Sequence, residues 1–292
     1  MQFPHLPLKF GCPMWSHPKW FGTLVPSTTP KASGLNAYAR FFNSVEGNTS
    51  FYQLPNESSV QNWREQVPAD FSFTFKFPRE ISHAADINSQ VELLRSSYQR
   101  FGMFEEQLGC LMLQLPPGFS ARRAKELEHF VGQLPKEFHY AIEMRHLDWF
   151  DKGQNERWLN RLLESHGVNR VILDTRGLFA CKTPQDTLVM EVQTKKPKLP
   201  THAVATSNRP IVRFVGHPTL AKNREFLAPW VDKIAQWLAQ DLQPYVFFHM
   251  PDNAQAPWLA ALFFEELKIA HPELLTSGLD IPVIGNQQLS IF

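Results

Sequence analysis

Eight short apolar runs recur along the chain, and helix-like segments separate most of them. The runs are 8–12 (LKFGC), 44–48 (SVEGN), 71–77 (FSFTFKF), 110–115 (CLMLQL), 139–145 (HYAIEMR), 170–174 (RVILD), 211–215 (IVRFV) and 245–250 (YVFFHM). Each is short enough for a strand, and 71–77 alternates strictly with period two. Helical patterns lie at 35–42, 58–66, 88–104, 122–134, 156–166, 220–239 and 254–270. Strands alternating with helices call for a parallel sheet covered by helices. Eight such units in 292 residues predict a (β/α)8 TIM barrel. The expectation is a single domain with its core over about 8–270. A doubly wound sheet also alternates, but no GxGxxG follows the first strand.

One segment interrupts the alternation. Residues 181–209 contain Pro184, Pro197 and Pro200 and a basic cluster, Lys195, Lys196 and Lys198. The expectation is a long loop. A solvated face is the ordinary reading of such lysines, and a phosphate-contacting patch the sharper one.

Composition narrows the classes. The chain has 29 Lys and Arg against 28 Asp and Glu, so no global field drives it to nucleic acid or a membrane surface. The three cysteines, Cys12, Cys110 and Cys181, form no CxxC pair or disulfide framework. No secretory signal pattern opens the sequence, and no apolar run approaches the roughly 20 residues that span a bilayer. A cytoplasmic protein without membrane contact is expected, and the oligomeric state is left open.

The barrel hypothesis sets the side-chain register. Residues facing the helices must be apolar, which assigns Val45, Phe75, Leu113, Met144, Leu173, Phe214 and Phe248 outwards. The alternate set then points inwards: Glu46, Asn48, Lys76, Gln114, Glu143, Arg145, Asp174, Arg213 and His249. These lie near the C-terminal ends of their strands, where barrel enzymes build their sites. The stretch VEGNTSFYQLP (45–55) is the densest part of this pattern, and Glu46 needs a partner because a buried unpaired carboxylate is costly. Lys76 on the next strand is the first candidate, with Arg145 and Arg213 across the barrel.

The chemistry expected is that of an anionic substrate, a phosphate ester or nucleotide-like molecule. Glu46, Glu143 and Asp174 are the candidate catalytic carboxylates. Lys76, Arg145 and Arg213 are the candidate anion ligands, with Asn48 and Gln114 to orient it. Trp15, Tyr52 and Trp149 are candidate aromatic walls. The alternative is a non-catalytic pocket for nucleic acid or a small anion, or a salt-bridge network that only closes the barrel. Glu46, Glu143, His146, Asp174, His217 and His249 offer N and O donors for a divalent metal. The cations on the same face oppose a multinuclear centre, no HxH or HExxH occurs, and no metal ligand is assigned. Schiff-base chemistry at Lys76 is weakened by an adjacent Glu46, which would keep the amine protonated.

Four ordered blocks carry a family resemblance: GCPMWSHPKWFGTLVP (11–26), LNAYARFFNSVEGNTSFYQLPNESSVQNWREQVPADFSFTFKFPREISH (35–83), LGCLMLQLPPGF (108–119) and YAIEMRHLDWF (140–150). Together they resemble the YecE-like family, also called domain of unknown function 72. The resemblance implies a TIM barrel and no particular activity. It matches Gly11, Trp15, Trp20, Glu46, Asn48, Phe51, Tyr52, Lys76, His83, Gln114, Glu143, Arg145, His146, Trp149 and Asp174. Where the family often carries paired asparagines near the eighth strand, this chain reads FFHMPDNAQA.

Overall fold

A computed structural model describes residues 6–182, 186–275 and 279–282. Residues 1–5, in the segment read as lacking a signal, and 183–185, in the expected loop, lie outside the described residues. The strands are β1 (Lys9–Gly11), β2 (Ser44–Gly47), β3 (Ser72–Lys76), β4 (Leu108–Gln114), β5 (Tyr140–Glu143), β6 (Asn169–Asp174), β7 (Ile211–Val215) and β8 (Tyr245–His249). All eight expected strands are present, with ends that differ by a few residues. The helices are α1 (Gly34–Tyr38), α2 (Glu57–Glu65), α3 (Arg79–Ser82), α4 (Val91–Gly102), α5 (Ala124–Gly132), α6 (Gln154–Ser165), α7 (Arg176–Ala180), α8 (Thr187–Lys195), α9 (Arg224–Leu238) and α10 (Ala256–Ala270).

The strands form one parallel sheet in the order β1-β8-β7-β6-β5-β4-β3-β2. The seam between its ends is bridged where Glu46 N–H donates to the Cys12 carbonyl at 3.1 Å. The approach is close: a Cβ on Gly11 would stand 2.0 Å from the Ser44 carbonyl oxygen, so only glycine fits. Tyr38 reinforces the seam. Its hydroxyl donates to Ser44 O at 2.9 Å and accepts from Cys12 N–H at 2.7 Å. The result is the nearly closed (β/α)8 barrel expected from the alternation.

Two cores follow from the alternation of side chains. Between barrel and helices lie Val45, Phe75, Leu113, Phe214 and Phe248, all essentially unexposed. Phe75 stacks on Phe101 of α4 at 5.2 Å and touches Phe104 at 4.7 Å. Burying one such ring contributes about 1.5–3 kcal/mol. Inside the barrel, Cys110, Met112, Ala141, Val171, Ile211, Tyr245 and Phe247 form a separate apolar plug. This plug closes the floor beneath the mouth.

Two expectations need correction. The 181–209 segment is not all loop, because α8 occupies Thr187–Lys195. Asp186 starts it by accepting the Leu188 N–H at 2.8 Å, and Val189 packs on Leu173, Leu178 and Val215. Cap energy and one buried contact outweigh the weak helix propensity of TLVMEVQTK. The second correction concerns β6. Ala141 pairs with Asn169 and Leu173 with Arg213, so Asn169, Val171 and Leu173 point inwards. Arg170 and Asp174 therefore face the helices, opposite to the expected register.

Candidate functional site

The side chains at the inner, C-terminal ends of β2, β3, β4, β5, β7 and β8 form one connected cluster. Its centre is Arg213. Nε donates to Glu46 Oε2 and Nη2 to Glu46 Oε1, both at 2.7 Å, while Nη1 donates to Glu143 Oε2. Glu143 also accepts from Arg145 Nε at 2.6 Å. Lys76 Nζ lies 3.5 Å from Glu46 and donates to Gln114 Oε1 at 2.8 Å. His249 Nε2 stands 3.2 Å from Glu46 Oε2. Glu46, Glu143 and Arg213 are essentially unexposed.

Local structure places each of these groups. Ser50, in the turn after β2, donates to Lys76 O at 2.8 Å and accepts from Lys76 N–H at 3.1 Å, pinning the end of β3. Asn48 is a latch: its amide donates to Pro13 O at 2.9 Å and so ties the loop after β2 to the loop after β1. Gly47 gives β2 its approach to β3, since a Cβ there would lie 2.4 Å from the Phe75 ring. Phe51 borders the cluster with its ring centre 5.9 Å from Lys76 Nζ.

The electrostatics follow from burial and pairing. Burial alone would raise the pKa of Glu46, but Arg213, then Lys76 and His249, hold it well below the usual carboxylate range. Glu143 is likewise held far down, by Arg213 and Arg145 against its burial. Arg213 is driven up by the two carboxylates despite its own burial. Burial pushes His249 down to about 4, so it is neutral at physiological pH. Burial and then Arg213 bring Lys76 down to about 8.

One member, Lys196, was read from sequence only within the Lys195, Lys196 and Lys198 cluster, as ordinarily a solvated face and more sharply a phosphate-contacting patch, and was not placed in the site. Lys196 caps the C-terminal end of α8, its N–H bonded to Val192 O at 3.0 Å. The Thr175 hydroxyl donates to Pro197 O at 3.2 Å and ties the next residue to the end of β6. The half-buried Lys196 amine lies within electrostatic range of Arg213, Lys76, Glu143 and Glu46, and His249 feels its charge in turn. Burial, then Arg213 and Lys76, bring it down to about 7. Among the described residues no carboxylate lies within 4.0 Å of it. Its neighbours behave as a solvated face should: Lys195 pairs with Glu191, and the exposed Lys198 lies 5.8 Å from the Phe179 ring centre. The signal available in the sequence was Asp186 as a cap, followed by Val189 and Val192 three apart.

Four expected residues stand apart. Asp174 faces α9, where Trp230 Nε1 donates to it at 2.7 Å and Arg176 pairs with it at 2.8 Å. Trp149 is fully buried, with its indole N–H donating to Phe119 O at 2.7 Å, and acts as a post rather than a wall. Trp15 packs on Trp63 of α2 with ring centres 4.9 Å apart. Tyr52 is 76% exposed and touches Phe51 edge-on. His146 caps the turn Leu147–Phe150 by accepting from Asp148 N–H at 3.1 Å, and His217 accepts from Thr219 N–H at 2.9 Å. Among the described residues, no three His, Cys, Asp or Glu side chains converge in a way that would hold a metal ion. Among them also, no helix is long and apolar enough to cross a membrane.

Four cations, Lys76, Arg145, Lys196 and Arg213, thus meet two carboxylates, Glu46 and Glu143. With both lysines protonated the described cluster carries a surplus of two positive charges. A groove of about 660 Å³ between α2 and the turn before β4 lies at the opposite end of the barrel, bordered by Arg64 and Glu105, and has no part in this cluster.

A nearly closed (β/α)8 barrel with a buried, cation-rich mouth is the class of protein that this geometry defines. Within it, the chain belongs to the family described as "Protein of unknown function DUF72", whose model matches residues 9–281. It is 43% identical over 282 residues to the UPF0759 protein YecE of Escherichia coli K12, covering 97% of this chain and 98% of that protein. It is 22% identical over 206 residues to the UPF0759 protein YunF of Bacillus subtilis 168, covering 66% of each. Crystal structures of DUF72 proteins from Enterococcus faecalis V583 and Thermotoga maritima MSB8 share the fold. Their TM-scores are 0.66 and 0.65, at 15% and 21% identity. The first match covers 95% of this chain and 99% of the crystallised one, the second 89% and 98%.

Proposed function

We propose that the barrel mouth binds a small anionic ligand through a phosphate or carboxylate group. The observation that carries this reading is the surplus of two positive charges, with the Lys196 amine within electrostatic range of the cluster and no carboxylate beside it among the described residues. Lys196 is half-buried, and a cation drawn partly out of water without a carboxylate partner is costly. An anion held between Lys196, Lys76 and Arg145 would relieve that cost and form charge-assisted hydrogen bonds.

The finer reading, hydrolysis of a phosphate ester with Glu46 or Glu143 as base, has less support. A general base works best with a pKa near the working pH, and Arg213 holds both carboxylates far below it. Their role in this reading is to orient Arg213 and to limit the excess charge. Inorganic phosphate titrated into the protein and followed by calorimetry tests the proposal. One-to-one binding that weakens with added salt is expected, and absence of saturable binding at millimolar phosphate would sink it.

A further inference from the structure

We propose that the groove between α2 and the turn before β4 is a second binding site, for an aliphatic diamine or polyamine. It is independent of the anion-binding reading, because it lies at the other end of the barrel and uses none of the same residues.

Three observations converge on this groove. The first is its size and its apolar side. Its volume of about 660 Å³ falls within the range of small-molecule sites. The half-buried Val67 and Met103 and the exposed Ala69 line it, over a floor closed by the fully buried Val60 and Phe104. The second is charge. Among the lining residues one cation, Arg64, stands against Glu65, Glu105 and Glu106, which leaves a surplus of two negative charges. Arg64 is already spent on Glu105, which it grips with both terminal nitrogens at 3.1 and 2.6 Å. Glu65 takes the neutral amide of Gln61 at 3.1 Å, and neither Glu65 nor Glu106 has a cation within 4.0 Å among the described residues. The third is an acceptor without a donor. Gln107, in the groove wall, is only 8% exposed. Its Nε2 donates to Pro68 O at 3.1 Å and to Arg64 O at 3.5 Å, and these two carbonyls fix which end of the amide is nitrogen. Its Oε1 is buried and has no hydrogen-bond partner among the described residues.

These features select the ligand. A buried acceptor with no donor is costly, and a ligand N–H relieves that cost. An ammonium group supplies such an N–H for Gln107 and a positive charge for Glu65 and Glu106. The methylene groups between two ammonium groups then cover Val67, Ala69 and Met103. Glu65 and Glu106 are exposed, so each ion pair alone contributes little. Affinity therefore depends on two linked ammonium groups acting together with the apolar contact, which is why a diamine fits and a single amine does not.

Calorimetry and methyl NMR on the full chain test the proposal. The probes are hexamethylenediamine, hexamethonium, hexanediol and magnesium chloride. Hexamethonium keeps the length and charge of the diamine but has no N–H, and hexanediol keeps the length without the charge. Hexamethylenediamine should bind one-to-one, weaken with added salt and bind about fivefold tighter than hexamethonium, while hexanediol should not bind. In methionine methyl spectra the Met103 signal should move, while Met112 in the barrel plug and Met250 after β8 stay in place. Glu65→Gln combined with Glu106→Gln should weaken diamine binding about fivefold. Both positions are exposed, so the double variant should keep its fold. Equal affinity for hexamethonium, an equal Met103 response to magnesium, or unchanged affinity in the double variant overturns the proposal. Diamine binding that leaves Met103 unmoved also overturns it, and that reading needs only the wild-type protein.

Discussion

Arg213 grips Glu46 at two points across the barrel, Nε to Oε2 and Nη2 to Oε1, each at 2.7 Å. The same guanidinium reaches Glu143 with its remaining nitrogen. One cation thereby bridges two buried carboxylates brought from β2 and β5, with Lys76 and Arg145 as their second partners, and its removal has a calculable consequence.

Arg213→Met leaves two buried carboxylates short of their main partner. Stability should fall by about 3–5 kcal/mol at pH 7, the cost of stranding a buried charge. Without the guanidinium, burial raises both carboxyl pKa values above their unfolded values. They then take up protons in the folded state as pH falls, and the deficit against wild type shrinks. Urea unfolding at pH 7 and pH 4.5 checks this. A loss below about 1 kcal/mol at pH 7 would show that the pair does not matter to the fold.

Lys196 predicts a pH dependence of the opposite kind. Its folded pKa of about 7 lies below the ordinary lysine value of about 10.4, so the unfolded chain binds more protons between those limits. This group costs stability below pH 7, and the cost is relieved as pH rises towards 10. Lys196→Met should therefore be more stable than wild type at pH 6 by about 1 kcal/mol. Its advantage should vanish by pH 10. Thermal unfolding of both proteins across that range measures the difference, and a constant difference would contradict it.

Anion affinity should move the other way. Sulfate keeps its charge across this range, so its binding reports the protein. Loss of protons from Lys196 near pH 7 and from Lys76 near pH 8 reduces the positive surplus. Sulfate binding should weaken about tenfold from pH 6 to pH 9. Affinity that is flat or rises with pH would place the anion elsewhere.

The carboxylates should separate cleanly. Glu143→Gln removes a negative charge from the cluster and should tighten sulfate binding several-fold. Asp174→Asn changes a residue on the helix-facing side of β6 and should leave that binding unaltered. It should cost about 1–3 kcal/mol of stability through its bonds to Trp230 and Arg176. Equal effects of the two changes on sulfate would overturn the register of β6 described above.

What the sequence made legible, and what it concealed, divides along physical lines. Strand number and most of the inward set could be read because a run such as FSFTFKF offers one apolar face and one polar face, and because in IVRFV the lone charge marks the inward side. In RVILD that rule fails, since both faces are partly apolar and the charged one is turned to the helices. It is tolerated there because Arg170 finds Glu156 at 2.7 Å, and Asp174 finds Trp230 and Arg176. Glu156 and Trp230 lie 14 and 56 residues from the groups they meet, so no local pattern reveals them. Trp149 misled for a related reason. A tryptophan in a post-strand loop suggests a wall, but its indole N–H is spent on a backbone carbonyl. Lys196 was hidden among lysines of identical type, and only the geometry of α8 separates the one that lies near the cluster. The ring of three carboxylates and three cations expected from the sequence loses Asp174 and gains Lys196. That exchange turns a balanced network into one with charge to spare.

Calorimetric titration of inorganic phosphate into wild type and Lys196→Met at pH 6.5 addresses that surplus most directly. The account predicts one-to-one binding to wild type and an affinity about tenfold lower in the variant, with the fold retained. No saturable binding to wild type, or equal affinity in the two proteins, would contradict it.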